Sequence, residues 1–111
     1  MEKLCLALDL KDDPHLIAEY ERLHAAGNAW PEIGQSIRDA GVTNMEIYRT
    51  GNRLFMIMEV ANHFNLANKA EMDSNNPVVI KWEALMSEFQ QPLPWANKDE
   101  KWVIMSKIFQ L

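Results

Sequence analysis

The chain has one cysteine, Cys5, among its 111 residues, which excludes an intrachain disulfide and a cysteine-built zinc knuckle. Histidine is scarce: His15, His24 and His63 are all there is, and none forms the HxH or HExxH spacing of a metal site. The four glycines are scattered, so no Gly-rich phosphate loop forms, and GxSxG and CxxC motifs are missing as well. No apolar run approaches the ~20 residues that a membrane span needs. Positive charge is also short: 11 Lys and Arg stand against 16 Asp and Glu, a net charge of −5 with no basic cluster. Nucleic acid and anionic membranes are therefore not the expected partners. The first residues lack the basic, long apolar and small-residue succession of a secretory signal, so a cytoplasmic protein is expected.

What is present is ordinary for a globular chain: 48% hydrophobic and 24% charged residues. The length suits one domain over residues 1–111, able to bury one core. Leu4-Cys5-Leu6-Ala7-Leu8 alternates large and small apolar residues, as a strand with one heavily packed face does. Asp13-Pro14 is a cap followed by a proline at the first helical position, and the helix should run to about Ala25. Pro31 opens a second helix that turns Ile33, Ile37 and Ala40 inward and ends at Gly41. Strands over 42–49 and 53–60, joined by Thr50-Gly51-Asn52, read as a hairpin. Phe64 and Leu66 should anchor a short helix. Asn76-Pro77 starts another, with Val78, Trp82, Leu85, Met86 and Phe89 as its apolar stripe. Pro92 and Pro94 mark a loop, and the alternation over 101–109 predicts a final strand. Merging each helix pair gives βαββαβ: a ferredoxin-like α+β fold, with a four-stranded antiparallel sheet and helices on one face. The other face is left bare. Because monomers rarely expose large apolar patches, a second copy should cover it, giving a homodimer.

The residues with chemical potential cluster early. Leu16, Ile17, Tyr20, Leu23 and His24 share one stripe of the first helix. Tyr20 and His24 lie one turn apart, with Cβ atoms about 5–6 Å apart, and both point inward. Histidine gives and takes protons near neutrality, but an inward histidine also serves as a core residue satisfied by a backbone carbonyl. Tyr20 is a hydrogen-bonding or acid partner, or a core tyrosine with its hydroxyl at the rim. Trp30 and Trp82 suit stacking on the C–H face of a sugar, or plain packing. Glu46 and Glu59 interrupt apolar strands and face either solvent or a pocket. His15 should be solvated, Cys5 a small buried hydrophobe, and the methionines core fillers.

Asp12-Asp13-Pro14, Glu19-Tyr20-Glu21, His24, Trp30-Pro31-Glu32-Ile33, Gly41, Asn44, Ile47-Tyr48 and Arg53-Leu54-Phe55 occur in that order. This succession, continued by Lys81-Trp82, resembles the L-rhamnose mutarotase family along essentially the whole chain. The resemblance implies a dimeric α+β barrel that interconverts the α and β anomers of a 6-deoxy-L-aldose, L-rhamnose or L-fucose, with no cofactor and no metal. It also implies roles: His24 as proton donor, and Tyr20 and Trp82 as substrate-binding residues, with Trp30 a further stacking candidate. Two positions depart from the rhamnose pattern. Met45 stands where the family has a substrate-contacting tyrosine, and Trp82-Glu83 replaces a Trp-Trp pair. The loop between His24 and Trp30 is longer by a residue or two. Met45 and Glu83 are therefore expected to bear on which sugar is bound. Two other readings share the architecture: a monooxygenase-type dimeric barrel acting on an apolar substrate, and a non-catalytic ligand-binding dimer.

Overall fold

A computed structural model describes residues 2–111. In chain order its elements are β1 (Glu2–Leu10), α1 (Pro14–His24), α2 (Pro31–Asp39), β2 (Val42–Thr50), β3 (Arg53–Val60), α3 (Leu66–Ser74), α4 (Pro77–Ser87), β4 (Gln90–Gln91) and β5 (Val103–Ile104). The helix starts follow the expected chemistry. Asp13 Oδ1 accepts from the backbone N–H of His15 at 2.8 Å and of Leu16 at 3.3 Å. Asn76 Oδ1 does the same for Val78 and Val79. Asn65 caps α3 by accepting from the Asn68 N–H.

β1 is the middle of an antiparallel sheet. It pairs with β3 from Glu2↔Val60 to Asp9↔Arg53, and β3 pairs with β2 through a Gly51-Asn52 turn. Gly51 takes φ +57°, the positive value that a type II′ hairpin needs at its first central position. Asn52 ties this turn to the end of β1: its carbonyl accepts from the Leu10 N–H at 2.7 Å and its side chain donates to the Leu10 carbonyl at 3.0 Å. The other edge of β1 is shared by β4, against Asp9 and Leu10, and β5, against Leu6 and Ala7. The expected fourth strand position is thus filled in two pieces. Of the strand expected over 101–109, only Val103–Ile104 forms, followed by one bond from Met105 N–H to the Cys5 carbonyl. Beyond it the chain gains no neighbouring strand, and Ile108 and Phe109 are 94% and 76% exposed. Period-2 alternation there reports strand propensity without a partner to realise it.

The pleat separates two faces. Leu6, Leu8, Leu10, Leu54, Met56, Met58 and Val60 are buried on the helix side. Tyr20 of α1 and Trp82 and Met86 of α4 pack there with Leu10, Leu54 and Phe89. Val79, more than Val78, takes the buried position at the start of α4. The opposite face carries Cys5, Phe55, Ile57 and the exposed Tyr48. Cys5 is therefore half-buried on the outer face, because β1 has odd-numbered residues pointing away from the core.

One buried charge sits on that outer face. Asp9 is 5% exposed and accepts from Arg53 Nε at 2.7 Å and Nη2 at 3.2 Å, with the Trp95 ring over the guanidinium. Arg53→Met would leave the carboxylate buried without its donor. We expect a loss of about 1–3 kcal/mol of unfolding free energy, read from urea denaturation. An unchanged midpoint would show that the pair contributes nothing net.

Candidate active site

Between the inner sheet face and the helices lies a cavity of about 550 Å³, within the usual range of ~300–1,000 Å³ for ligand pockets. Tyr20 and His24 of α1, Trp30 at the α2 N-terminus, Met45 of β2, and Trp82 and Glu83 of α4 all line it. The segments that deliver them are distant in sequence. Proline starts α1, α2 and α4, and each helix places an aromatic or imidazole ring at the cavity wall.

The rings form a continuous cluster. Tyr20 lies against His24 with centroids 4.3 Å apart, and His24 meets Trp82 edge-on at 5.5 Å. Trp82 meets Trp30 at 5.1 Å and 65°. Tyr20 is 3% exposed and Trp82 6%, while His24 is half-buried. Each is therefore both packed and facing the cavity, so the packing and ligand-binding readings of these residues are compatible.

His24 Nδ1 is 2.8 Å from the Tyr20 carbonyl oxygen. A carbonyl only accepts, so Nδ1 must donate and carry its proton. Nε2 is then left without a hydrogen-bond partner among the described residues. The Tyr20 hydroxyl meets Gln90 Nε2 at a long 3.4 Å. Burial is the main cause that raises the Tyr20 pKa; Glu83 adds to it, and the Gln90 contact acts in the opposite direction. The phenol is un-ionised at neutral pH, a hydrogen-bonding group rather than a phenolate base.

The structure leaves several other residues outside the cavity. Glu46 is exposed and accepts from the Tyr48 hydroxyl at 2.7 Å; Glu59 is on the outer sheet face. His15 and His63 are exposed, and no group of metal-holding side chains occurs among the described residues. Glu83 is exposed at the rim and ion-paired with Lys101 at 3.1 Å. The methionines divide: Met45, Met56, Met58 and Met86 line the cavity, whereas Met72 and Met105 are exposed. Sequence reasoning missed Gln90. It is 8% exposed and lines the cavity, and its only sequence signal is a polar residue directly after the apolar stripe of α4.

The family model for L-rhamnose mutarotase matches residues 3–111. The chain belongs to this family. It is a sugar mutarotase, an isomerase. It is 45% identical to an L-fucose mutarotase of Xanthomonas campestris pv. campestris over 111 residues, covering 100% of this chain and 89% of that one. The fold matches the crystal structure of an L-rhamnose mutarotase from Formosa agariphila with a TM-score of 0.72 at 23% identity, covering 100% and 99% of the two chains. It also matches tetracenomycin F2 cyclase of Streptomyces glaucescens, a type-II polyketide cyclase, at TM-score 0.60, 13% identity and coverage of 100% and 97%. The shared architecture thus spans proteins named for different chemistries.

Because burial raises the Tyr20 pKa above the ordinary 10.0, the folded state holds that proton more tightly than the unfolded state. The stability this contributes is complete below about pH 10 and is lost as pH rises through the folded-state value. Ultraviolet pH titration of the folded protein should show an ionisation, abolished by Tyr20→Phe, that lies above the tyrosine ionisation of the unfolded chain. Ionisation of Tyr20 at or below pH 10.0 would contradict the buried, un-ionised phenol.

Proposed function

We propose that this mutarotase interconverts the α and β anomers of a 6-deoxy-L-aldose, with L-fucose its first substrate, through proton transfer at His24. The observation that carries this reading is the fixed His24 imidazole. Nδ1 is held by the Tyr20 carbonyl, and the free Nε2 belongs to a ring that lines a cavity walled by Trp30 and Trp82. The protonated imidazole gives its Nε2 proton to the ring oxygen while a base takes the proton of the anomeric hydroxyl. The C1–O5 bond breaks and an aldehyde forms at C1. Rotation about C1–C2 exposes the other aldehyde face. The O5 hydroxyl then returns its proton to Nε2 as it attacks C1, and O1 is reprotonated. Tyr20, un-ionised, orients the sugar by hydrogen bonding, and the indoles hold its C–H face. Neither metal nor nucleotide has a step in this sequence.

The preference for L-fucose is supported by the 45% identity to the Xanthomonas enzyme and by the two departures from the rhamnose pattern, Met45 and Glu83. Met45, Met56 and Met58 make an apolar wall that suits the methyl of a 6-deoxy sugar. A hydroxymethyl placed there would bury its hydroxyl unpaired. We further propose a cytoplasmic homodimer built on the bare sheet face. Phe55, Ile57 and Tyr48 lie on that face, and the same chain offers an exposed apolar tail with Ile108, Phe109 and Leu111. Two such surfaces on one chain are satisfied together by a second copy.

Saturation-transfer NMR of α/β exchange tests the chemistry. His24→Ala should lose about 10²–10⁴-fold of the acceleration, and Trp82→Ala should mainly raise KM. Wild-type exchange in His24→Ala would sink the assignment. For the assembly, light scattering should give twice the 12.8 kDa chain mass and a shift toward monomer after deletion of residues 106–111. A monomeric full-length chain would overturn the dimer.

A further inference from the structure

Among buried side chains in the described residues, one polar atom has no partner: Gln90 Oε1. Gln90 is 8% exposed, lines the cavity and sits on β4 opposite Leu10, so the register turns it to the inner sheet face with Tyr20 and Trp82. Its other amide end reaches only the Tyr20 hydroxyl, at 3.4 Å. Rotating the amide by half a turn exchanges the two ends and still leaves one of them unpaired. A buried amide end without a partner is costly, and native structures rarely leave one without a reason. Holding Tyr20 does not supply the reason, because that task uses one end and strands the other. Its strand partner Leu10, its chain neighbour Phe89 and Met86 of the shared cavity wall are buried and apolar, so an apolar side chain of the same length would carry no such cost. Unlike Leu10 and Phe89, Gln90 reaches the cavity, and unlike Met86, which also lines it, Gln90 brings an unpaired polar atom there.

We propose that Gln90 is a sugar-binding residue of this site, with its unpaired amide oxygen accepting a hydrogen bond from a ring hydroxyl of the substrate. The proposal rests on the mutarotase reading and deepens it. A hydroxyl both donates and accepts, so it is the ligand group that satisfies this amide in either orientation. Gln90 would thus be linked to the substrate on one side and to Tyr20 on the other. The sugar, the Tyr20 phenol and the helix that holds His24 would then be placed by one polar chain. Because this bond exists in bound ground state and transition state alike, its loss falls on KM rather than kcat.

The test has two arms. In the first, L-fucose is titrated into wild-type protein while the Gln90 side-chain amide and the Trp82 indole are followed by ¹⁵N NMR. Both signals should move together. An amide that stays still while the indole moves overturns the proposal, whatever the enzyme's turnover. In the second arm, anomer exchange is measured for Gln90→Met on L-fucose and its 2-, 3- and 4-deoxy analogues. KM for L-fucose should rise about tenfold with kcat nearly unchanged, and the rise should vanish for the one analogue that lacks the partnered hydroxyl. An equal loss on every analogue, or no loss, overturns the proposal while leaving His24 chemistry standing. Failure of the mutarotase reading is a separate result: wild-type protein that exchanges no sugar, with the amide titration still reporting whether Gln90 meets one.

Discussion

The burial of Tyr20 is the constraint on which the site depends. Its ring is inserted between the sheet and α4, packing edge-on against Phe89 at 6.0 Å and stacking on His24. Its backbone carbonyl fixes the His24 tautomer. Its hydroxyl is the contact of the Gln90 amide. Packing, tautomer and polar lining therefore have one origin, and they are coupled: a shift of α1 along the sheet would disturb all of them. Burial also keeps the phenol un-ionised, so a neutral donor and not a phenolate stands beside the imidazole.

Much of this was legible in the sequence where local rules act alone. Asp13-Pro14 and Asn76-Pro77 announced two helix starts, and the Leu4 to Leu8 alternation set which face of β1 turns inward. The stripe through Leu16, Tyr20 and His24 gave the inward side of α1. The end of the chain was less legible, because an edge strand is defined by its neighbour. The alternation over 101–109 does not say that the end of β1 at Asp9 and Leu10 is taken by Gln90–Gln91. Gln90 was hidden for the same reason. Nothing in Phe89-Gln90-Gln91-Pro92 shows that two residues of pairing turn one glutamine into the cavity and leave its neighbour exposed. Cys5 was read as buried from an apolar run, yet parity puts it on the outer face.

The methionines show how a core and a ligand site are built from one material. Met56, Met58 and Met86 are buried, and with Met45 they also line the cavity. An unbranched thioether side chain fills irregular space and adapts to what lies against it. A sheet face so furnished packs α4 at one point and lines the cavity at another without changing its pattern. This explains why the wall looked like ordinary core in the sequence. The fold itself is shared with a polyketide cyclase at 13% identity, so what this chain does is argued from its own cavity lining and not from the fold.

The half-burial of His24 is consistent with the modest demand of the reaction. Mutarotation passes through an open-chain aldehyde that water does not destroy in any harmful way, so the site has no need to shut solvent out as acyl or phosphoryl transfer does. Tyr20 and His24 line a second, smaller cavity of about 390 Å³ beside Glu21, Tyr48 and Arg49, so the imidazole stands between the sugar-sized space and one open toward the polar surface. In the proposed role of proton carrier, His24 would gain from contact with such a surface. Under the proposed mechanism, what the site must control is geometry: the imidazole is held by the Tyr20 carbonyl, and the indoles and the buried amide would hold the ring face and a hydroxyl. Those are orientation effects, and orientation supplies a large share of any enzymatic acceleration.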